Sequence, residues 1–512
     1  TIEASDGTIA QPKMDLIGIR TMEFCRRWGI AAQVEFSPYD RDQSQDYAWV
    51  TSVAGLEFGR ESFPSKRRQI PPPESPEAKQ RCPQNMFDPI LRDWVTSMPI
   101  AKLRYGHRLV AIEEGEDGVR ATIATDGATY ELRAEYAVGC DGAAGIVRGV
   151  LTDERGHNNS LTYTTNAIFR SSELVDIAKD RSAYRFIVLD ETGPWSTVVA
   201  IDGRDRWRFS LIGDSRRTQY SSGEIATAIE RSVGKPFQFE LQSVVPWVRR
   251  EMVASNFGRR RLFIAGDAAH LMSPTGGFGM NTGIGDSVDL GWKLAATLSG
   301  WGGPELLASY EAERQPVALR NVREATGNLR RMLSARQQPP PTIAFEDSPE
   351  GEAARHEYGN WYTDVLRREW YSIGIQLGYV YDPSPICVSD ASSAGPEEVG
   401  SYTQTSRPGA RAPHVWLTER LSSLDLFGRG FVLLRSAGPG SDNGDERLLR
   451  CTRDAGVPLR VIDIDADTLG PDFLRARTLV RPDGHVAWRG DLLPAEASLL
   501  VDTIRGATGG QS

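Results

Sequence analysis

The chain is short of the features that would mark a membrane, nucleic-acid or disulfide-stapled protein. None of its 512 residues falls in an apolar run of about 18 or more, the length a spanning helix needs, and Thr1–Asp6 shows no basic-then-apolar leader pattern. Cysteine is scarce: Cys25, Cys82, Cys140, Cys387 and Cys451 are scattered, odd in number and without C-x-x-C or metal-ligand spacing. That argues against a disulfide framework, a dithiol centre or a structural metal, and for small hydrophobes in a reducing cytosol. Positive charge is also in deficit. Lys+Arg number 59 against 68 Asp+Glu, and a net charge of −9 argues against nucleic-acid or anionic-membrane partners. Internal repeats are absent. What remains is an ordinary cytoplasmic-enzyme composition, 40% hydrophobic and 25% charged, and the length suggests two to four domains of roughly 100–200 residues.

The pattern along the chain alternates strands and helices. Arg20–Trp28 has helical periodicity closed by Gly29, and Gln84–Thr96 reads as a second helix. Residues 60–83 are rich in proline and charge, a long surface loop in which Lys66–Arg68 is read as a solvated face that could alternatively meet a cofactor phosphate. Residues 103–140 predict a meander with hairpin turns at Gly115–Gly118 and Asp126–Gly127. A second strand-rich stretch covers about 163–214, with a turn at Gly203. Residues 284–335 and Glu352–Tyr371 are helical, and 382–412 is a Pro/Gly/Ser-rich connection before a small α/β module. Arg259–Arg261 is expected in a solvated turn, and most of the 12 tryptophans in the core or between domains.

Chemistry concentrates in Arg261–Ala296. An apolar strand, Leu262–Gly266, delivers Asp267 at its C-terminal end, where open α/β sheets bind ligands. A loop bearing Gly276, Gly277, Gly279 and Gly283 follows, then a long helix. Glycines let backbone approach a flat ligand, and the helix N-terminus aims free N–H groups at electron-rich oxygen. A second stretch, Tyr136–Arg148, runs from a strand end into the turn Asp141-Gly142. A third joins Gln11–Ile30 to Cys82–Trp94. At the start, Thr1-Ile2-Glu3 reads as a strand end carrying an acid.

Gly266, Asp267, Ala268, Ala269, His270, Pro274, Gly277, Gly279, Asn281, Gly283 and Asp286 together resemble the motif G-D-A-A-H-x-x-x-P-x-x-G-x-G-x-N-x-G-x-x-D. It is the flavin motif of the single-component FAD-dependent aromatic hydroxylases, the phenol hydroxylase group. The resemblance implies that Asp267 binds the ribityl chain. It also implies that the backbone of Gly277, Gly279, Met280 and Asn281 faces the flavin pyrimidine edge, and that Pro274 lies beside the oxygen-reacting face. Asp141 matches the family's Asp-Gly fingerprint, with Gly145 standing where Ser is usual. Arg20 and Gln84 match flavin-contacting positions, Asp88 replaces a usual Glu, and Glu3 takes the place of the adenosine-ribose acid. No G-x-G-x-x-G precedes Glu3, and a strand-plus-helix unit of about 30 residues is expected upstream. Asp15 occupies the position of an acid near the substrate hydroxyl, as general base or phenol orienter; its rival reading is a solvated loop acid. The family's tyrosine partner is expected to be missing, since Arg208-Phe209-Ser210 fills its likely place. His270 reads as a structural hydrogen-bonding residue.

The fold so implied is α/β. A Rossmann-type, glutathione-reductase-like FAD domain comes from 1–47, 81–160 and 245–335, and a β-sheet substrate domain from 48–80 and 161–244. A helical connection spans 336–395, and a thioredoxin-like tail without C-x-x-C spans 396–512, structural or dimer-stabilising in a homodimer. The implied reaction uses NADPH or NADH and O₂ to hydroxylate a phenolic or polyketide-type aromatic through a flavin hydroperoxide. An epoxidase or Baeyer–Villiger oxygenase on the same scaffold, or a non-catalytic flavin or aromatic binder, are the alternatives. A flavin halogenase is disfavoured, because no W-x-W-x-I-P run is present.

Overall fold

The computed structural model describes residues 1–152, 158–213, 216–393, 395, 397–437 and 443–508. Its first layer is built from short, buried strands. Leu262–Ile264 pairs in parallel with Ala137–Gly139 and antiparallel with Gly258–Arg259. All three residues of Leu262–Ile264 are buried, as a parallel strand covered on both faces requires. They pack with Val147, Leu151, Phe257, Leu290 and Tyr310. Ile2–Glu3 lies parallel to Arg104–Tyr105. The meander is present as Arg108–Glu114, Val119–Thr125 and Ala128–Ala134, joined antiparallel.

Among the described residues the largest sheet has eight strands. At its centre Asn158–Arg170 lies between Arg206–Ile212 and Glu240–Val253, both antiparallel to it. The sheet continues through Gly193–Ala200 and Arg185–Asp190 to Tyr47–Val50, which pairs in parallel with Arg185–Val188. Alternation along the strands sends side chains to two faces. Phe169, Phe186, Val198, Trp207 and Phe209 meet the helix Ser222–Val233 on one face. That helix starts at a capping box of Ser221 and Glu224 and stops at Gly234, whose φ of 84° suits glycine. On the other face Trp49, Ile187, Leu189 and Ile212 meet residues of the helices Ser309–Ser334 and Pro349–Trp370. His270–Leu271 adds to the sheet edge beside Met252–Val253, so the glycine loop after it starts at the junction of the two layers.

The tail has the expected order. Phe431–Ala437 and Leu459–Asp465 are parallel and connected by the helix Asn443–Asp454; Arg477–Val480 and Val486–Gly490 follow antiparallel, then the helix Ala497–Ile504. It joins the body through buried charges. Arg481 donates to Glu313 at 2.9 Å, to Asp289 at 3.0 Å and to Asp483 at 2.7 Å, while Lys293 reaches Asp289 and Glu313 at 2.7 and 2.6 Å. Two expectations are corrected. The stretch 60–83, expected as a long surface loop, begins on the end of the strand Glu57–Glu61, carries a 3-10 turn at Lys66–Arg68 and returns to a strand at Gln80–Arg81. Lys66 is neither solvated nor open to a phosphate: it is buried and donates to Val34 O, Ser37 Oγ and Arg81 O at 2.8–2.9 Å. In the connection 382–412, residues 394 and 396 lie outside the described residues. Among the described residues no helix is long and apolar enough to cross a membrane.

Candidate active site

The glycine loop is shaped to leave ligand-binding groups free. Leu262–Ile264 ends at Gly266, φ 61°, and the next residue, Asp267, is exposed and makes no side-chain hydrogen bond within the described residues. The turn is fixed from behind. Asp286 Oδ2 accepts from Gly266 N at 3.1 Å and lies 2.7 Å from His270 Nε2, and Asp286 Oδ1 accepts from Arg314 Nε at 2.9 Å. Burial pushes the Asp286 carboxyl up, but His270 and Arg314 outweigh it and hold it below the usual carboxylate range. His270 is therefore a scaffold residue. Gly283 packs its Cα face on Gly266: a Cβ there would stand 3.0 Å from Gly266 Cα.

The helix Phe278–Leu298 begins at Gly277, φ 69°, with no side-chain cap and no acid in its first turn. Its leading N–H groups and the positive end of its dipole are thus available to an electron-rich ring edge. Gly279 and Met280 belong to this first turn, and Met280 also packs against the cluster of Ile17, Met22 and Phe87. Asn281 ties the turn to the first layer, donating to Leu16 O at 3.0 Å and Gly277 O at 2.7 Å and accepting from Gly18 N at 2.8 Å. Pro274 is exposed in the loop ahead of it.

The remaining flavin candidates lie on other elements. Glu3 is exposed at the end of its strand and accepts from Ser5 N at 2.7 Å. Gln84 opens the helix Gln84–Thr96 and accepts from Lys13 N at 3.0 Å. Asp141 accepts from Val147 N at 3.0 Å, and Gly145 makes room for it, because a Cβ at 145 would lie 2.0 Å from Asp141 Oδ1. Arg20 is buried and turned toward the tail, donating to Glu23 at 2.8 Å and Asp483 O at 2.9 Å.

Asp15 is not a solvated loop acid. Antiparallel pairing of Leu16–Ile17 with Gln80–Arg81 sets Arg81 beside it, and Arg81 Nη1 donates to Asp15 Oδ1 at 2.7 Å. Tyr184 OH donates to the other carboxylate oxygen in a very short hydrogen bond, and Arg208 Nη2 stands 3.7 Å away. Arg81 also donates to Tyr47 OH at 2.7 Å and Gln45 at 3.1 Å, and stacks 3.6 Å from the Tyr184 ring centre. Burial raises the Asp15 pKa, but Arg81 first, then Arg208 and the Tyr184 hydrogen bond, bring it below the usual range. Burial drives Tyr184 well above 10, so it stays protonated at neutral pH. The expected absence of a tyrosine is thus corrected: Arg208 does come to the acid, and Tyr184 arrives from the residue just ahead of the strand Arg185–Asp190. Tyr184, Arg81, Tyr47 and Gln45 escaped sequence reasoning. The available signal was Tyr184-Arg185-Phe186 at the head of an apolar run.

Comparisons with known proteins show the family. A family model described as an FAD binding domain matches residues 1–325, and one described as an aromatic-ring hydroxylase C-terminal region matches 405–509. The chain belongs to the FAD-dependent aromatic-ring hydroxylases. It is 32% identical to an FAD-dependent monooxygenase, apdD, of Emericella nidulans, covering 96% of this chain and 83% of that one. A putative polyketide hydroxylase of Streptomyces halstedii is 31% identical over 97% of this chain and 89% of its own length. Among solved structures, the rebeccamycin biosynthetic enzyme RebC with reduced flavin superposes with TM-score 0.89 and 40% identity, covering 99% and 94% of the two chains. A ternary complex of aklavinone-11 hydroxylase with FAD and aklavinone gives 0.80 and 26%, with the same coverage. The hydroxylase is a flavin monooxygenase: FAD is its cofactor, NAD(P)H its reductant and an aromatic compound its substrate. The residues present fit that cofactor, for Asp267 is an unpartnered carboxylate suited to ribityl hydroxyls and the Gly277 helix end offers uncapped N–H groups.

Proposed function

We propose that the hydroxylase acts on a phenol whose hydroxyl is oriented by the Asp15–Tyr184–Arg81 constellation. The bound FAD supplies hydride acceptance and oxygen activation. The protein's part is to hold the substrate and its proton. Asp15, ion-paired and acidic, is a weak base, and its carboxylate is suited to fixing Tyr184 OH as a donor–acceptor pivot. With its proton directed to Asp15, the Tyr184 oxygen turns a lone pair outward to accept from a phenol, which raises electron density on the ring. Asp267, Gly277, Gly279, Met280 and Asn281 would hold the flavin, with Pro274 beside its reactive face and Glu3, Gln84, Asp141 and Arg20 at the outlying contacts. The observation that carries the orienting role is the Tyr184-to-Asp15 hydrogen bond within a site nearly closed to water. Two relatives bear the name putative polyketide hydroxylase, which favours a polyketide-type phenol. Exposed Leu492 and Leu499 on the tail favour a homodimer, and the free cysteines a reducing cytoplasm.

The test is NAD(P)H oxidation by the FAD-loaded protein with a panel of phenols, comparing wild type with Asp15→Asn and Tyr184→Phe. Loss of phenol-stimulated turnover by about 100-fold, with flavin binding retained, is expected for removal of a positioned proton partner. Unchanged kcat in both variants overturns the assignment.

A further inference from the structure

One buried cation on the substrate sheet makes no hydrogen bond or ion pair among the described residues. Arg249 lies on Glu240–Val253, in register with Thr162 of the central strand, and the alternation that turns Leu241 and Val244 to the Ser222–Val233 helix turns Trp247 and Arg249 to the opposite face. Arg208 projects from that same face toward Asp15. Arg249 is 8% exposed, yet none of its nitrogens meets an acceptor among the described residues, and its Nη1 is wholly enclosed without a partner. Two hydroxyls on the adjoining strand positions, Thr162 Oγ1 and Thr164 Oγ1, are likewise enclosed and unpartnered. Of the nearby acids, Glu369 accepts from Arg185 at 3.0 Å through Oε1, leaves Oε2 without a hydrogen bond and acts on Arg249 only through space, and Glu251 accepts from Thr326 at 2.7 Å. Elsewhere in this molecule buried arginines meet carboxylates, as Arg20 and Arg411 do at Glu23, Arg81 at Asp15, Arg314 at Asp286 and Arg481 at Glu313.

A buried guanidinium held for structure alone is paired, because an isolated buried charge is costly. We propose that Arg249, with the hydroxyls of Thr162 and Thr164, forms an anion subsite that receives a carboxylate borne by the aromatic substrate. This deepens the proposed function and rests on its assignment of this sheet face to the substrate. Burial and the Arg185 charge bring the Arg249 pKa down to about 10, which leaves it cationic at neutral pH. Its planar fork suits a carboxylate, with the two threonines as further donors. The registers also set a length. Arg208 pairs with Ile168 and Arg249 with Thr162, six residues apart on one strand. That is about 20 Å between backbones, shortened by the reach of two long side chains. The two side chains close much of that distance, since the Arg208 charge acts on Arg249, so the substrate is an aromatic acid whose carboxylate and hydroxyl meet the same sheet face.

The experiment uses the FAD-loaded full chain, titrated calorimetrically with anthraquinone-2-carboxylate and with anthraquinone-2-carboxamide, without reductant. The carboxylate is expected to bind about 10- to 100-fold tighter than the amide, the range for hydrogen bonds to a charged group. Arg249→Met is expected to abolish that preference and Arg249→Lys to restore part of it. Should Arg249→Met fail to fold, the Thr162→Val/Thr164→Val double variant is the second reading, expected to weaken the carboxylate several-fold while the amide is unaffected. Equal affinity for the two probes in wild type, or a preference that survives Arg249→Met, overturns the subsite. Because binding is read without turnover, failure of phenols to stimulate NAD(P)H oxidation would count against the orienting role of Asp15 and leave the carboxylate preference as a separate result.

Discussion

Glu23 offers the most direct measurement of how the tail is held to the body. Its carboxylate is 5% exposed and accepts from Arg20 at 2.8 Å, from Arg411 of the tail at 3.0 and 2.5 Å, and from Ser75 at 2.7 Å. Burial raises its pKa, but Arg411 and then Arg20 overcome this and bring it from 4.5 to about 2. At about 1.4 kcal/mol per pKa unit, that depression corresponds to roughly 3 kcal/mol of interaction. The cost of breaking a buried pair by removing one partner is about 3–5 kcal/mol, which agrees. Glu23→Gln keeps the shape and removes the charge, so it should open the tail junction about 100-fold more often. Amide hydrogen exchange in Arg477–Val480 and Val486–Gly490, with Arg206–Ile212 as the internal reference, reads that opening. The sign with pH follows from the direction of the shift. A depressed carboxylate contributes fully above about pH 4.5 and loses its contribution as pH falls toward about 2. Wild type should therefore approach the variant over that window, while the variant shows no such component. Exchange in Glu23→Gln within threefold of wild type at pH 7 would refute this account of the junction.

Asp267→Asn should leave the apoprotein within about 0.5 kcal/mol of wild type, since an exposed side chain without partners is lost. It should weaken FAD by about tenfold, read by flavin fluorescence titration. Gly283→Ala sets a gain in helix propensity of up to about 1 kcal/mol against a methyl placed 3.0 Å from Gly266 Cα. Its melting temperature should change little while FAD affinity falls, because the turn that presents Asp267 must move; unchanged affinity would show that the Gly266–Gly283 approach is incidental. Arg81→Met removes the largest charge lowering the Asp15 pKa, so the acid limb of kcat against pH should move upward, whereas a purely structural Arg81 would change stability and leave the limb in place.

The parts of the site that sequence could reveal are those written contiguously. Gly266 to Asp286 spans one strand end, one loop and one helix start, so the spacing of glycines and acids is itself the geometry. The meander and the helix Gln84–Thr96 were legible for the same reason. Tyr184, Arg81 and Arg249 were not. Tyr184 is brought near Asp15 by parallel pairing of Arg185–Val188 with Tyr47–Val50, across more than a hundred residues of chain, and Arg81 by a two-residue antiparallel bridge. A two-residue strand has no periodicity to detect, and an arginine before Cys82-Pro83 looks like any surface charge. Arg208 stands in the tyrosine's expected place and still reaches the acid, while a tyrosine comes to Asp15 from the residue just before another strand, Arg185–Asp190.

The same logic separates the acids of the flavin loop by what they touch. Asp267 and Asp286 lie within one motif and have the same chemistry, yet one is exposed and unpartnered and the other is wholly buried among His270, Arg314 and Gly266 N. Asp286 cannot bind a ligand without releasing a buried imidazole and a buried guanidinium. Asp267 can bind one without breaking any contact. The rigidity comes from the buried acid, which fixes the backbone amide one residue before Asp267, so the free carboxylate is presented on a turn that cannot relax toward a partner of its own. A loop that left both acids free would order itself only on binding, and a loop that paired both would have nothing to offer.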